Sequence, residues 1–146
     1  MPDLLFEREL STWDGTDWKQ LGLKVLTLDN AGVSLAQTFR ARDRRLSAAD
    51  AFALALAKTG PHMLLAGDGA VRDVAGAEGI ECHGVLWVLD ELRRSHILSP
   101  HRSLEALQAI CQHPRCRLPA SEVKRRMELY RQEANKTGRD NQGDVD

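Results

Sequence analysis

Three carboxylates in this chain have the residue type and placement for metal chemistry: Glu9, Asp50 and Asp68. Carboxylates brought together without basic partners repel, and a hard divalent cation such as Mg²⁺ or Mn²⁺ is their usual neutraliser. Spacing alone does not establish that the three converge, and each has a plainer explanation. Asp50 follows Ser47 by three positions, where an acid completes a helix capping box and complements the helix dipole. Asp68, within Gly67-Asp68-Gly69, suits a turn, and Glu9 suits a solvated helix face. Asp73, a few residues after Asp68, can reach the same region or stand exposed on its helix. Arg40, Arg42, Arg44 and Arg45 lie just ahead of Asp50 in the chain. They are placed either to contact a phosphate backbone entering an acidic site or to sit on a solvated loop.

Other reactive types are less ordered. A second basic group, Arg93-Arg94, Arg115, Arg117 and Lys124-Arg125-Arg126, has no interleaved aromatics and suits RNA or an acidic partner. Cys111-Gln112-His113-Pro114-Arg115-Cys116, with Cys82-His83 upstream, contains zinc-ligand types. The spacing is not that of a standard finger and Cys111 falls on an apolar helix face, so these read as core and loop cysteines. His83 reads as a strand-end residue. Trp13, Trp18 and Trp87 read as packing anchors, because none sits in a basic run.

The elements that must position these residues come from one domain's worth of chain, 146 residues. With 42% hydrophobic and 28% charged residues the composition is that of a folded protein, which excludes disordered, collagen-like and disulfide-scaffold classes. A net charge of -1 excludes a global positive field for nucleic acid or anionic lipid, so any such contact must be local. Three cysteines cannot all pair within one chain, which favours reduced thiols. The acidic N-terminus and the lack of a long apolar run lead to the expectation of a cytoplasmic protein with no membrane contact.

Periodicity predicts helix over residues 2 to about 12, with Leu4, Leu5, Phe6 and Leu10 on one face. A loop with two tryptophans follows, then a strand at 24–28 and a helix marked by Leu35, Ala36 and Phe39. Ser47 and Asp50 open a helix apolar on every side, which should be deeply buried. Gly60-Pro61 ends it, a buried strand follows at 63–66, and Gly67-Asp68-Gly69 leads into a helix through Val71, Val74 and Ala75. Asp68 therefore stands at a strand's carboxyl end, where parallel sheets open their ligand crevices. A strand at 80–82, an amphipathic helix through Val85, Val88, Leu89 and Leu92, and two further helices complete the pattern, the last with Ser121 as its cap. The alternation predicts an α/β fold with three short parallel strands.

Leu46 to Ala57, then Leu64-Leu65-Ala66-Gly67-Asp68, then Val71-Arg72 and Gly79-Ile80-Glu81-Cys82-His83-Gly84, in that order, resemble the C-terminal half of PIN-domain proteins. These include the toxin ribonucleases of toxin-antitoxin pairs of the VapBC type. Pro2 to Leu10 is similar to the family's second helix, in which an acid precedes a leucine as Glu9 precedes Leu10. The resemblance covers about residues 2 to 95. It implies a three-layer α/β/α PIN-like sandwich with a short parallel sheet and a helical C-terminal extension. The division it suggests is a PIN-like domain over 1–98, the extension over 99–136 and a disordered tail over 137–146.

The resemblance also implies metal-dependent cleavage of RNA, with Glu9, Asp50 and Asp68 as catalytic ligands of Mg²⁺ or Mn²⁺ and Arg40, Arg42, Arg44 and Arg45 on the nucleic acid. The implied partners are an RNA substrate, an antitoxin protein and a second copy of the chain. Against the family's pattern, no hydrophobic strand ending in aspartate precedes Met1. The expectation is therefore an N-terminally incomplete domain with impaired activity and an apolar sheet edge beside Met63 to Ala66. The alternative is a non-catalytic PIN-like interaction module.

Overall fold

The chain enters its first helix, α1 (Asp3–Glu9), directly after Pro2, whose φ of -61° and missing N–H suit the start of a helix. The computed structural model describes residues 1–11, 17–114 and 116–140. Trp13, Arg115 and residues 141–146 of the expected tail lie outside the described residues. Two compact units divide the chain, Met1–Gly84 and Val85–Asp146.

In the first unit, α2 (Asn30–Arg42) is capped by Asp29, whose carboxylate accepts from the Gly32 N–H at 2.7 Å. Next comes α3 (Ala48–Thr59), opened by the expected capping box. The Asp50 N–H donates to Ser47 Oγ at 3.1 Å, and the Ser47 N–H donates to Asp50 Oδ2 at 3.0 Å. Ala49, Ala51, Leu54, Ala55 and Ala57 of α3 are buried, and α1, α2 and the following α4 and β1 all pack against it. A parallel pair, β1 (Leu64–Leu65) and β2 (Cys82–His83), is joined through α4 (Gly69–Ala77), with Leu64 opposite Cys82 and Leu65 opposite His83. Gly79 ends the α4 turn at a φ of +67°, a conformation that glycine takes without a Cβ penalty.

The sheet is smaller than the sequence predicts. Residues 24–28 form no continuous strand. They make one parallel bridge, Leu26 to Pro2, with the Asp3 N–H donating to the Leu26 carbonyl at 3.0 Å and the Leu26 N–H to the Met1 carbonyl at 2.9 Å. Pro2 has no N–H and the chain turns helical at the next residue, so the ladder cannot extend. The strand at 63–66 shortens to Leu64–Leu65 and is buried on one face only: Leu64 is 8% exposed, whereas Met63 and Leu65 are 47% and 57% exposed. The strand predicted at 80–82 is displaced to Cys82–His83. The first helix stops at Glu9 and does not reach 12. The result is a helix-rich α/β fold with a short parallel sheet.

The second unit holds α5 (Val85–Arg94), α6 (Pro100–Gln112) and α7 (Ala120–Asp140) around Leu89, Leu107 and Tyr130. Ser99 caps α6. Ser121, expected as the cap of α7, lies inside that helix, which already begins at Ala120. At its other end α7 runs to Asp140, beyond the expected limit at 136, because a single Gly138 costs only about 1 kcal/mol and does not stop a helix already propagating. Among the described residues no helix is long and apolar enough to cross a membrane.

A polar network joins α5 to α7. The Tyr130 hydroxyl donates to Asp90 Oδ1 at 2.7 Å, Arg126 Nε donates to Asp90 Oδ2 at 2.9 Å, and Arg93 pairs with Glu133 at 2.8 Å. The Tyr130 side chain is fully buried, with the Arg93 guanidinium 5.5 Å from its ring centroid. Burial, and then the adjacent Asp90 carboxylate, push the phenol up to about 12.

Two stability predictions follow from these contacts. Ser47→Ala removes the acceptor for the Asp50 N–H and should cost about 1 kcal/mol in urea unfolding. Tyr130→Phe removes a hydrogen bond to a charged group and should cost about 1.5–3 kcal/mol by the same measurement. Because the folded phenol titrates above its ordinary value, its contribution is complete below pH 10 and is lost as the pH rises through about 12. The unfolding midpoint of the unsubstituted protein should fall across that window, and the Tyr130→Phe midpoint should lack this component.

Candidate functional site

Asp68 stands where β1 hands over to α4. The Ala66 N–H makes the last ladder bond, to the His83 carbonyl at 2.8 Å, and the chain then leaves the sheet through Gly67. Asp68 is the N-cap of α4, its Oδ1 accepting from the Val71 N–H at 3.1 Å, and the residue is exposed. Asp50 is half-buried in the first turn of α3, with Oδ2 held by the Ser47 N–H. Both carboxylates thus have one oxygen fixed by a helix start. Neither forms an ion pair with a Lys or Arg among the described residues. Glu9 differs: it is exposed at the end of α1 and pairs with Arg8 at 3.6 Å. Asp73, 65% exposed on α4, pairs with Arg45 at 3.1 Å.

Among the described residues no three His, Cys, Asp or Glu side chains are grouped as metal ligands. The donor chemistry still separates the candidates. Asp50 and Asp68 offer hard oxygens without a competing cation, and α3, which carries Asp50, packs against both α4 and β1, between which Asp68 sits. Glu9 brings a competing guanidinium with it. The fit to a hard divalent cation therefore rests on the two aspartates.

The four arginines ahead of Asp50 divide into two kinds. Arg42 pairs with Glu78 at 2.9 Å, and Glu78 also meets Lys58 Nζ at 3.7 Å. Arg45 binds the Asp43 carboxylate at 2.7 Å as well as Asp73. Its hydrogen bonds, first to Asp43 and then to Asp73, raise its pKa further, and the same guanidinium holds the Asp43 carboxyl below the usual carboxylate range. Arg40 and Arg44 are exposed and make no ion pair among the described residues. Sequence reasoning missed the two acids that make this division. Asp43 had a signal in its two-residue separation from Arg45. Glu78 is 36 residues from Arg42 and had none.

His83 Nε2 lies 2.8 Å from Glu81 Oε1 beside the parallel pair, as a strand-end residue. Cys82 packs against the first unit's core and Cys111 against the second's. Trp18 and Trp87 are half-buried.

A family model described as a PIN domain matches residues 8–132. No curated protein and no solved structure gives a significant match. The matched span takes in Glu9, the arginine group, Asp50 and Asp68, and continues through α5 and α6 into α7, so it covers most of both units. It includes the parallel pair with an aspartate at the strand end and the capped, alanine-rich helix before it. With most of its length matched in this way, the chain belongs to the PIN-domain family.

Proposed function

We propose that this protein is a metal-dependent ribonuclease in which Asp50 and Asp68 are ligands of Mg²⁺ or Mn²⁺. One observation carries the reading: in a nuclease-type fold, two aspartates each have one oxygen held by a backbone N–H, and neither has a cationic partner among the described residues. Mg²⁺ is commonly bound by one or two carboxylates with substrate phosphates completing its shell, so two aspartates suffice as protein donors. When bound, such an ion supplies an activated water and stabilises charge on the leaving oxygen of a phosphodiester. The chain's own part is to orient. The Ser47 and Val71 N–H groups restrict the two carboxylates, and Arg40 and Arg44 are free to take the RNA backbone. Arg42 and Arg45 contribute only on giving up Glu78 and Asp43. Glu9 is at most an outer member of the site, reached after release from Arg8.

The rest of the reading is the three-layer α/β/α arrangement of a PIN domain and a toxin role in the cytoplasm, restrained by an antitoxin and open to pairing with a second copy. A short neighbouring gene for a DNA-binding protein, whose product relieves growth arrest caused by this chain, would support that role.

A second reading, a non-catalytic PIN-like module, is favoured by a specific fact. Capping alone accounts for the positions of Asp50 and Asp68, and no three-acid group occurs among the described residues. RNA cleavage assays separate the two. The enzyme reading expects cleavage that needs Mg²⁺ or Mn²⁺ and falls about 100-fold or more in Asp50→Asn and in Asp68→Asn, with Glu9→Gln losing less than about 10-fold. Matching far-ultraviolet circular dichroism would show that the variants fold. Cleavage indifferent to both aspartates rejects this site, and RNA binding without cleavage under any metal supports the module.

A further inference from the structure

Outside the acidic region, two nucleophilic side chains line one groove. Cys111 is the penultimate residue of α6, and Cys116 lies in the linker to α7, which the Cys116 N–H folds back by donating to the His113 carbonyl at 2.9 Å. The two thiols are free and half-buried, and Cys116 lies near enough to act on the Cys111 thiol. Both line a groove of about 970 Å³ with His113, Lys124, Glu128 and Arg131, a size within the range of small-molecule sites. Lys124 and Arg131 make no ion pair among the described residues, so an anionic ligand would meet two available cations beside one acid, Glu128.

We propose that Cys111 and Cys116 form a dithiol site that small anionic disulfides of the glutathione type oxidise reversibly to a Cys111–Cys116 cross-link. The Cys116 sulfur attacks one sulfur of the small disulfide, whose S–S bond breaks. One small thiol leaves with the proton that Cys116 gave up, and a mixed disulfide remains on Cys116. The Cys111 sulfur then attacks the Cys116 sulfur and expels the second small thiol, which takes the Cys111 proton. The protein dithiol is oxidised, and one small disulfide is reduced to two thiols.

The order follows from surroundings. Burial first, and then the neighbouring Cys116, push the Cys111 thiol up, so Cys111 is the poorer first nucleophile. Its place beside Cys116 on the same groove suits it to the second, intramolecular attack. Cys82, on β2 in the first unit, has no thiol partner of this kind among the described residues and serves as an internal control.

The test uses the full reduced chain, incubated with glutathione disulfide, alkylated and mapped by mass spectrometry. Two of the three thiols should be lost together as a Cys111–Cys116 cross-linked peptide, restored by dithiothreitol, while Cys82 stays alkylatable. Cys111→Ser should accumulate a glutathione adduct on Cys116, and Cys82→Ser should behave like the unsubstituted chain. Lys124→Ala combined with Arg131→Ala should slow the reaction several-fold with glutathione disulfide but not with the neutral hydroxyethyl disulfide. Cys111 and Cys116 both remaining alkylatable, or a Cys116 adduct that persists when Cys111 is present, would overturn the dithiol site. Equal slowing of both disulfides would overturn the assignment of an anionic ligand.

Discussion

Alanine at four buried positions of α3, namely 49, 51, 55 and 57, sets how closely the rest of the first unit can gather. A helix this narrow admits α1, α2, α4 and β1 around it, with Leu54 as the one large side chain wholly enclosed along its length. Interiors are close-packed, so each added methylene would have to displace a neighbour. A helix surrounded in this way has little water for its first-turn N–H groups. Ser47 and Asp50 take that role reciprocally. The position of Asp50 is thus a consequence of burying α3, and any use of its remaining oxygen is built on that constraint.

The same economy applies at Asp68. The strand before it must end, the helix after it must be capped, and one carboxylate does the capping as the chain turns through Gly67. Capping holds one oxygen against the backbone and does not engage the other. That neither aspartate forms an ion pair among the described residues matters as much as the carboxylates themselves, since a paired acid has its charge already answered. Around the site, Asp43, Asp73 and Glu78 take Arg45, Arg42 and Lys58. Exposed pairs of this kind add little to stability. Their effect is on availability: they leave Arg40 and Arg44 as the members of the arginine group with no ion pair among the described residues.

The second unit uses charge differently. Asp90 accepts from both Tyr130 and Arg126 across the α5–α7 contact, so two helices are keyed by one carboxylate beside the apolar cluster of Leu89, Leu107 and their neighbours. Removing one partner from such a cluster leaves the others half-satisfied, which makes it sensitive to single changes. The thiol pair at the end of α6 belongs to this unit too, at its open side.

What the sequence by itself determined is local. The 3.6-residue period placed the helices, Ser47 with Asp50 announced the start of α3, Gly67-Asp68-Gly69 marked the exit from β1, and the order of these motifs carried the resemblance to PIN domains. These signals are short-range because caps, turns and amphipathic faces are made by residues within a few positions of one another. Tertiary structure decided the rest. Residues 24–28 have the composition of a strand, yet their pairing stops at one bridge because the neighbouring chain has a proline and then a helix. Four arginines look equivalent in sequence until Glu78, far along the chain, claims one of them. Cys111 and Cys116 read as a core and a loop cysteine until the linker folds back and both line one groove. Pairing depends on which groups distant segments bring within a few ångströms, and spacing along the chain carries no record of that.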